Sequence, residues 1–195
     1  MVTQDSSLIR IVLAGRTGAG KTTLISTFRK APSGEISDRG NTTKVAKSLE
    51  PKDYESLQAT FVDCPGFQHP AAMSQYLRAE RKGPEHLAEF RQDCKEDKID
   101  LRYDRLACEA LKESDVVFYV ADANNPAVDA HTQDVIVIQK IQPRIVAVLN
   151  KTKTLTETKG EEAKSRRIEQ WKKTFVKWVS TRSSVLMHIG TNLQK

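Results

Sequence analysis

The sequence predicts a three-layer α/β domain on a mostly parallel sheet of about six strands, with an antiparallel edge strand. Short apolar runs alternate with polar stretches of helical spacing, the pattern of strands and their covering helices. The runs are continuous rather than alternating, which suits strands buried on both faces. Three of them end in Asp63, Asp122 and Asn150, which suits strands whose carboxyl ends face a ligand.

In chain order, residues 8–14 form the first apolar run, and Leu24, Ile25 and Phe28 form the first helical stripe. Residues 45–49 read as an edge strand on which Lys44 and Lys47 discourage further pairing. Residues 57–62 give the next strand. Residues 68–114 then separate two strands by far more chain than a crossover needs, so this stretch reads as a helical insertion. It carries three stripes: Met73, Tyr76 and Leu77; Leu87, Phe90 and Cys94; and Ile99, Tyr103, Leu106, Ala110 and Leu111. A break is expected around Gly83–Pro84. Residues 116–121 and 145–149 are strands. Between them, Val135–Ile138 favours a strand locally, but two parallel strands need a crossover, so residues 129–141 are assigned to a helix. Ile168, Trp171, Phe175, Trp178 and Val179 repeat at helical spacing, and both tryptophans read as core. A last strand at 185–189 leaves residues 191–195 as a short tail. The helix that usually closes such a sheet is missing from this reading, so one sheet face is expected to be partly bare and to mark an interface.

A chain of 195 residues suits a single domain spanning 1–195. The apolar share is 38% and the charged share 29%. No apolar run approaches the roughly 20 residues of a membrane span, and residues 1–7 lack the layout of a secretory signal. Cys64, Cys94 and Cys108 read as reduced thiols of a cytoplasmic protein. The net charge of +6 is concentrated in residues 151–182, where ten Lys and Arg meet four Glu. Such a stretch can steer RNA or an acidic protein; a solvated helix face is its more ordinary meaning.

The chemistry-bearing motif is Gly15-Arg16-Thr17-Gly18-Ala19-Gly20-Lys21-Thr22, followed by Thr23. It fits G-x-x-x-x-G-K-[ST] and stands between a strand and a helix, the context that gives the motif meaning. Its glycines let successive backbone N–H groups turn inward as a nest for a phosphate, and the helix that follows aims its positive end at the same anion. Lys21 bridges the β- and γ-phosphates, and the Thr22 hydroxyl takes a Mg²⁺ position. A second motif, Asp63-Cys64-Pro65-Gly66, ends a strand about forty residues on. Asp63 can reach the metal through water, and the Gly66 N–H can sense the γ-phosphate.

These motifs, with the polar Asn41-Thr42-Thr43-Lys44 between them and Asn150-Lys151 at a later strand end, resemble translation-factor-type P-loop GTPases, above all the Era and TrmE branch. The resemblance implies a GTP-binding switch with GTP/GDP and Mg²⁺ as cofactors and slow hydrolysis. It implies Thr43, or else Thr42, as a switch I metal ligand beside Thr22 and Asp63. Lys21, Thr43 and Gly66 would act in catalysis, and Asn150 and Lys151 at the base. A protein partner or homodimer is expected, RNA as a weaker option.

Three departures qualify the resemblance. The family reads guanine with N-K-x-D, but here Lys153 replaces the carboxylate, and a lysine only donates; Glu157 or the turn at 190–192 are the candidates to compensate. Phe67 stands where a water-orienting Gln is expected, with Gln68 and His69 following. Gly18 replaces the Asn that helps hold K⁺ in the TrmE branch, so no K⁺ activation is expected by that route. Two further functions stay open: an interaction module that holds nucleotide without turnover, and an ATP-using P-loop enzyme.

Overall fold

A computed structural model describes residues 9–29, 47–48, 52–54, 57–179 and 185–189. The first apolar run becomes β1 (Ile9–Ala14), and the Gly-rich turn leads into α1 (Lys21–Arg29). Two short strands, β2 (Lys47–Ser48) and β3 (Lys52–Tyr54), precede β4 (Leu57–Asp63). The insertion folds as α2 (Pro70–Lys82), α3 (Pro84–Glu96) and α4 (Arg102–Lys112). β5 (Val116–Asp122), α5 (Asp129–Ile141), β6 (Ile145–Asn150), α6 (Thr152–Val179) and β7 (Val185–Ile189) complete the order.

Four strands form the parallel centre, in the order β4-β1-β5-β6. β7 runs parallel to β6 on one side, and β2 and β3 pair antiparallel with β4 on the other. Among the described residues the sheet therefore has seven strands, where the sequence reading counts about six. β3 escapes that reading because Lys-Asp-Tyr carries no apolar run.

Alternate residues of each central strand point to opposite faces, the period of a pleated strand. Val12, Ala14, Val62, Val117, Tyr119, Ala121, Ala147 and Leu149 pack with residues of α2, α4, α5 and α6. Ile11, Leu13, Ala59, Phe61, Val120 and Val148 pack on the other face with Leu24 and Ile25 of α1. On that second face Ile9, Val116, Phe118 and Val146 are only half-buried. Among the described helices only α1 contributes to that face's buried core.

Residues 129–141 are the crossover helix that chain topology requires. α2 and α3 break at Gly83, whose φ of 119° lies in the left-handed region, and Pro84 opens α3. A proline at the first helical position forfeits no hydrogen bond, because that N–H lacks an intrahelical partner anyway. On α3 no residue is fully buried, and the expected stripe of Leu87, Phe90 and Cys94 is its half-buried line. The stripe on α4 needs correcting. On α4 the buried face is Asp104, Ala107, Cys108, Ala110 and Leu111, whereas Tyr103 and Leu106 are half-buried and Ile99 precedes the helix. The apolar spacing points elsewhere because an aspartate occupies one of the inward positions.

Trp171 and Trp178 are core residues, as expected, at 0% and 5% exposure. They form an aromatic cluster with Phe175, Tyr119 and His131, including a Trp171–His131 edge contact with centroids 4.7 Å apart. α6 is broken at Gly160, which has φ 82° and ψ 168°. No described helix is long and apolar enough to cross a membrane.

Candidate phosphate and metal site

Parallel register brings the carboxyl ends of four strands to one edge. Leu13 of β1 lies opposite Asp63 of β4, and Asp122 of β5 lies opposite Asn150 of β6. The loop 15–20 emerges from β1 at the centre of that edge. Its glycines are required by its shape. Gly15 has φ 136°, and a Cβ there would sit 2.2 Å from the Val120 carbonyl oxygen. Gly20 has φ 88°, and a Cβ there would meet Asn150 Nδ2 at 2.5 Å. The Ala19 N–H donates to the Arg16 carbonyl at 3.2 Å, and the Leu24 N–H to the Gly20 carbonyl at 2.9 Å, which starts α1.

Lys21 is 6% exposed and folds back into the loop. Its ammonium donates to the carbonyls of Gly15 (2.8 Å) and Arg16 (3.2 Å). Burial pushes the pKa of Lys21 down, while Cys64, Asp63 and Asp134 counteract this. A desolvated cation seated in a Gly-rich loop is a strong attractor for an oligophosphate.

The Thr22 hydroxyl donates to Asp63 Oδ2 at 2.5 Å, across forty-one positions of sequence. These two oxygen ligands fit Mg²⁺, which is held by one or two protein oxygens together with substrate phosphates. Among the described residues no cluster of three or more His, Cys, Asp or Glu could hold a metal by itself. Gly66 is pressed on the loop: a Cβ there would lie 2.8 Å from Thr17 N and 3.1 Å from Gly15 O. The second motif thus touches the first. Thr17 and Gly18 are exposed at the loop tip, and Thr23 is exposed on the first turn of α1. Thr43 and Thr42 lie outside the described residues, as does the turn at 190–192.

At the base side, Asn150 Nδ2 donates to the Ala19 carbonyl at 3.0 Å. Lys151, at φ 60°, bonds the Gly18 carbonyl (2.7 Å) and Asp122 Oδ2 (2.9 Å). Both residues therefore tie the β6 end to the phosphate loop. Lys153 faces solvent and pairs with Glu157 at 3.8 Å, one turn along α6. Phe67 is 2% exposed and belongs to the core. Cys64 is also internal: its thiol donates to the Leu13 carbonyl at 3.1 Å, and burial pushes its pKa up to about 12.

The sequence reading placed Asp122 at a ligand-facing strand end without giving it a role, and missed two further acidic residues. Asp122 holds Lys151 and also accepts the Asn124 N–H at 2.9 Å; its signal was its place at a strand end. Asp104 accepts the N–H groups of Gln68 and His69. Asp134 pairs with Arg16 at 3.4 Å. Neither has a sequence signal, since each acts from a remote helix. In the basic stretch 151–182, half of the ten cations, Lys151, Lys153, Lys164, Arg166 and Lys172, each pair with a carboxylate.

Residues 10–151 match the family described as 50S ribosome-binding GTPase. Among curated proteins, none matches the sequence. Several solved structures share the fold. Era in complex with MgGDPNP and nucleotides 1506–1542 of 16S ribosomal RNA superposes with a TM-score of 0.64 at 16% identity, covering 93% of this chain and 51% of that one. The bacterial selenocysteine-specific elongation factor EF-Sec gives 0.62 at 15% identity, over 93% of this chain and 25% of that one. Toc33 from Arabidopsis thaliana, in complex with GDP and Mg²⁺, gives 0.60 at 15% identity, over 94% and 71%. The chain spans about half the length of the Era structure.

Proposed function

The chain belongs to the 50S ribosome-binding GTPase family, and from that premise we propose that it is a switch that binds GTP with Mg²⁺ and hydrolyses it slowly. The observation that carries this reading is the convergence of Lys21, Thr22 and Asp63 at the mouth of the Gly15–Gly20 nest, with Thr22 and Asp63 2.5 Å apart. Lys21 would exchange its two carbonyl partners for β- and γ-phosphate oxygens. Thr22 and Asp63 would hold Mg²⁺, which supplies positive charge to the phosphates. Gly66 packs against the loop, and its N–H would take the γ-phosphate and transmit its loss. Thr43 would complete the metal site from switch I.

Slow turnover is supported by Phe67. The side chain directly after Gly66 is in the core, so it orients no water, and an arginine finger from elsewhere is worth on the order of 10³–10⁵ in rate. Such a finger would come from a protein partner or a second copy. Asn150 and Lys151 would flank the base, while Lys153 offers no acceptor to guanine.

Three measurements test the proposal: the nucleotide that co-purifies, single-turnover phosphate release with Mg²⁺, and competition of GTP against ATP for one fluorescent nucleotide. Co-purified GTP or GDP and slow release are expected. Retention of GTP with no release at all would make the chain an interaction module. Equal competition by ATP would remove its guanine preference, and failure to take up any triphosphate would defeat the reading.

A further inference from the structure

The loop that follows β4 is held from two sides. Gly66 rests on the phosphate loop, where a Cβ would collide with Thr17 N and approach Gly15 O. Two and three residues later, the backbone N–H groups of Gln68 and His69 donate to a single oxygen, Asp104 Oδ1, at 3.1 and 3.0 Å. Asp104 is 0% exposed and belongs to α4, thirty-five residues downstream of His69. Its other oxygen, Oδ2, is buried without a hydrogen-bond partner. A carboxyl group in that position is costly to bury, so its place needs a reason. Core packing gives none, because the neighbouring inward residues Ala107, Cys108 and Leu111 are apolar. α2 already starts on Pro70 with no side-chain cap from His69.

Resting on the switch reading given above, we propose that Asp104 is the positioning residue of the γ-phosphate-sensing loop. By fixing the backbone at Gln68 and His69, it sets where Gly66 lies, and so lets the loop distinguish a triphosphate from a diphosphate. Asp104 also links that loop to the insertion. The neighbouring Arg105 stands over the Tyr76 ring of α2, 5.7 Å from its centroid. A displacement of Gly66 would therefore move α4 and α2 together, and the exposed α3 between them would carry the nucleotide state to the surface. Two N–H donors oppose the effect of burial on Asp104, but burial is the larger influence and raises its pKa. Both contacts are made through one acceptor oxygen, which an asparagine also presents, so an asparagine should replace it.

The test uses the whole chain with Mg²⁺. Affinities for GDP and for a non-hydrolysable GTP analogue are measured by calorimetry in wild type, Asp104→Ala and Asp104→Asn, beside single-turnover phosphate release. Asp104→Ala should lower the GTP-analogue-to-GDP affinity ratio by about tenfold and slow release to match, while GDP binding stays within about twofold. Asp104→Asn should restore both. Equal losses for the two nucleotides, an unchanged ratio, or failure of the asparagine to rescue would each overturn the role. If the alanine variant does not fold, amide hydrogen exchange of wild type decides. Protection at residues 68–69 and in α4 should differ between GDP and GTP-analogue complexes, and identical protection overturns the proposal. A wild-type chain that binds no triphosphate would instead defeat the switch reading itself; normal wild-type binding with an unaffected alanine variant defeats only the role of Asp104.

Discussion

The Tyr119 hydroxyl donates to Asp134 Oδ2 at 2.9 Å in the interior, between β5 and α5. While Asp134 is ionised that uses the hydroxyl's only proton, so the contact of the same hydroxyl with His131 Nδ1, also 2.9 Å, has the histidine's hydrogen on Nδ1. Arg16 closes the chain from the phosphate loop, 3.4 Å from Asp134 Oδ1. Burial pushes the Asp134 carboxyl from its ordinary 3.8 up to about 7, against the pull of Arg16 and the Tyr119 hydroxyl. Burial, helped by Arg16, pushes His131 from 6.5 down to about 4.

These two shifts oppose each other in their effect on stability. Between 3.8 and about 7 the folded chain keeps a proton on Asp134 that the unfolded chain has lost, so this contribution falls as pH rises. Between 6.5 and about 4 the unfolded chain gains a proton on His131 that the folded chain refuses, so this contribution falls as pH drops. From about 4 to 6.5 they should offset one another. Urea unfolding should show Asp134→Asn losing stability toward the acid end of that window. His131→Gln should lose stability toward neutrality instead. Parallel pH profiles for the two variants would refute the offset.

Lys21→Ala removes the buried ammonium that folds back into the phosphate loop. Nucleotide affinity by calorimetry should fall at least about 100-fold, since hydrogen bonds to charged groups are each worth about 1.5–3 kcal/mol. The thermal midpoint of the nucleotide-free protein should hold or rise, because a desolvated cation has been removed.

Gly66→Ala places a methyl group 2.8 Å from one backbone nitrogen and 3.1 Å from a carbonyl oxygen. Neither atom belongs to a side chain that can swing away. The loop must lift from the phosphate loop, and phosphate release in a single-turnover assay should drop about tenfold or more. An unaltered rate would show that Gly66 does not approach the γ-phosphate.

Lys153→Asp replaces a donor-only side chain beside Glu157 with a carboxylate at the fourth position of the Asn150 motif. Competition binding should show preference for GTP over ATP rising at least about tenfold, because a correctly placed acceptor is what such sites use to reject the wrong partner.

Trp171→Ala opens a hole among Phe175, Trp178 and His131. Denaturant unfolding should show a loss of about 4 kcal/mol, the usual scale for a fully buried tryptophan.

The phosphate loop was legible in the sequence because its geometry is local: eight consecutive residues between a strand and a helix dictate their own backbone. Asp63 was legible because it ends a strand whose register sets it beside β1. Asp104 and Asp134 were not, since a buried carboxylate and an exposed one look alike in sequence. That blindness also displaced the expected face of α4. β3 was missed because a three-residue polar strand is defined by its partner β4, not by its own composition. The covered side of α3 was legible from the spacing of Leu87, Phe90 and Cys94, but its depth was not, because helical spacing is the same for half-covered and fully covered residues.

The break at Gly160 explains how one segment of chain satisfies two distant demands. Leu155 and Trp171 are sixteen positions apart, and both are almost wholly shielded from solvent, at 1% and 0%. On an uninterrupted helix, at 3.6 residues per turn, they would be rotated about 160° from one another and could not both turn inward. The glycine resets the angular phase. The leading piece can then be aligned by the nucleotide edge while the trailing piece is aligned by the aromatic interior, and each can be retuned without disturbing the other.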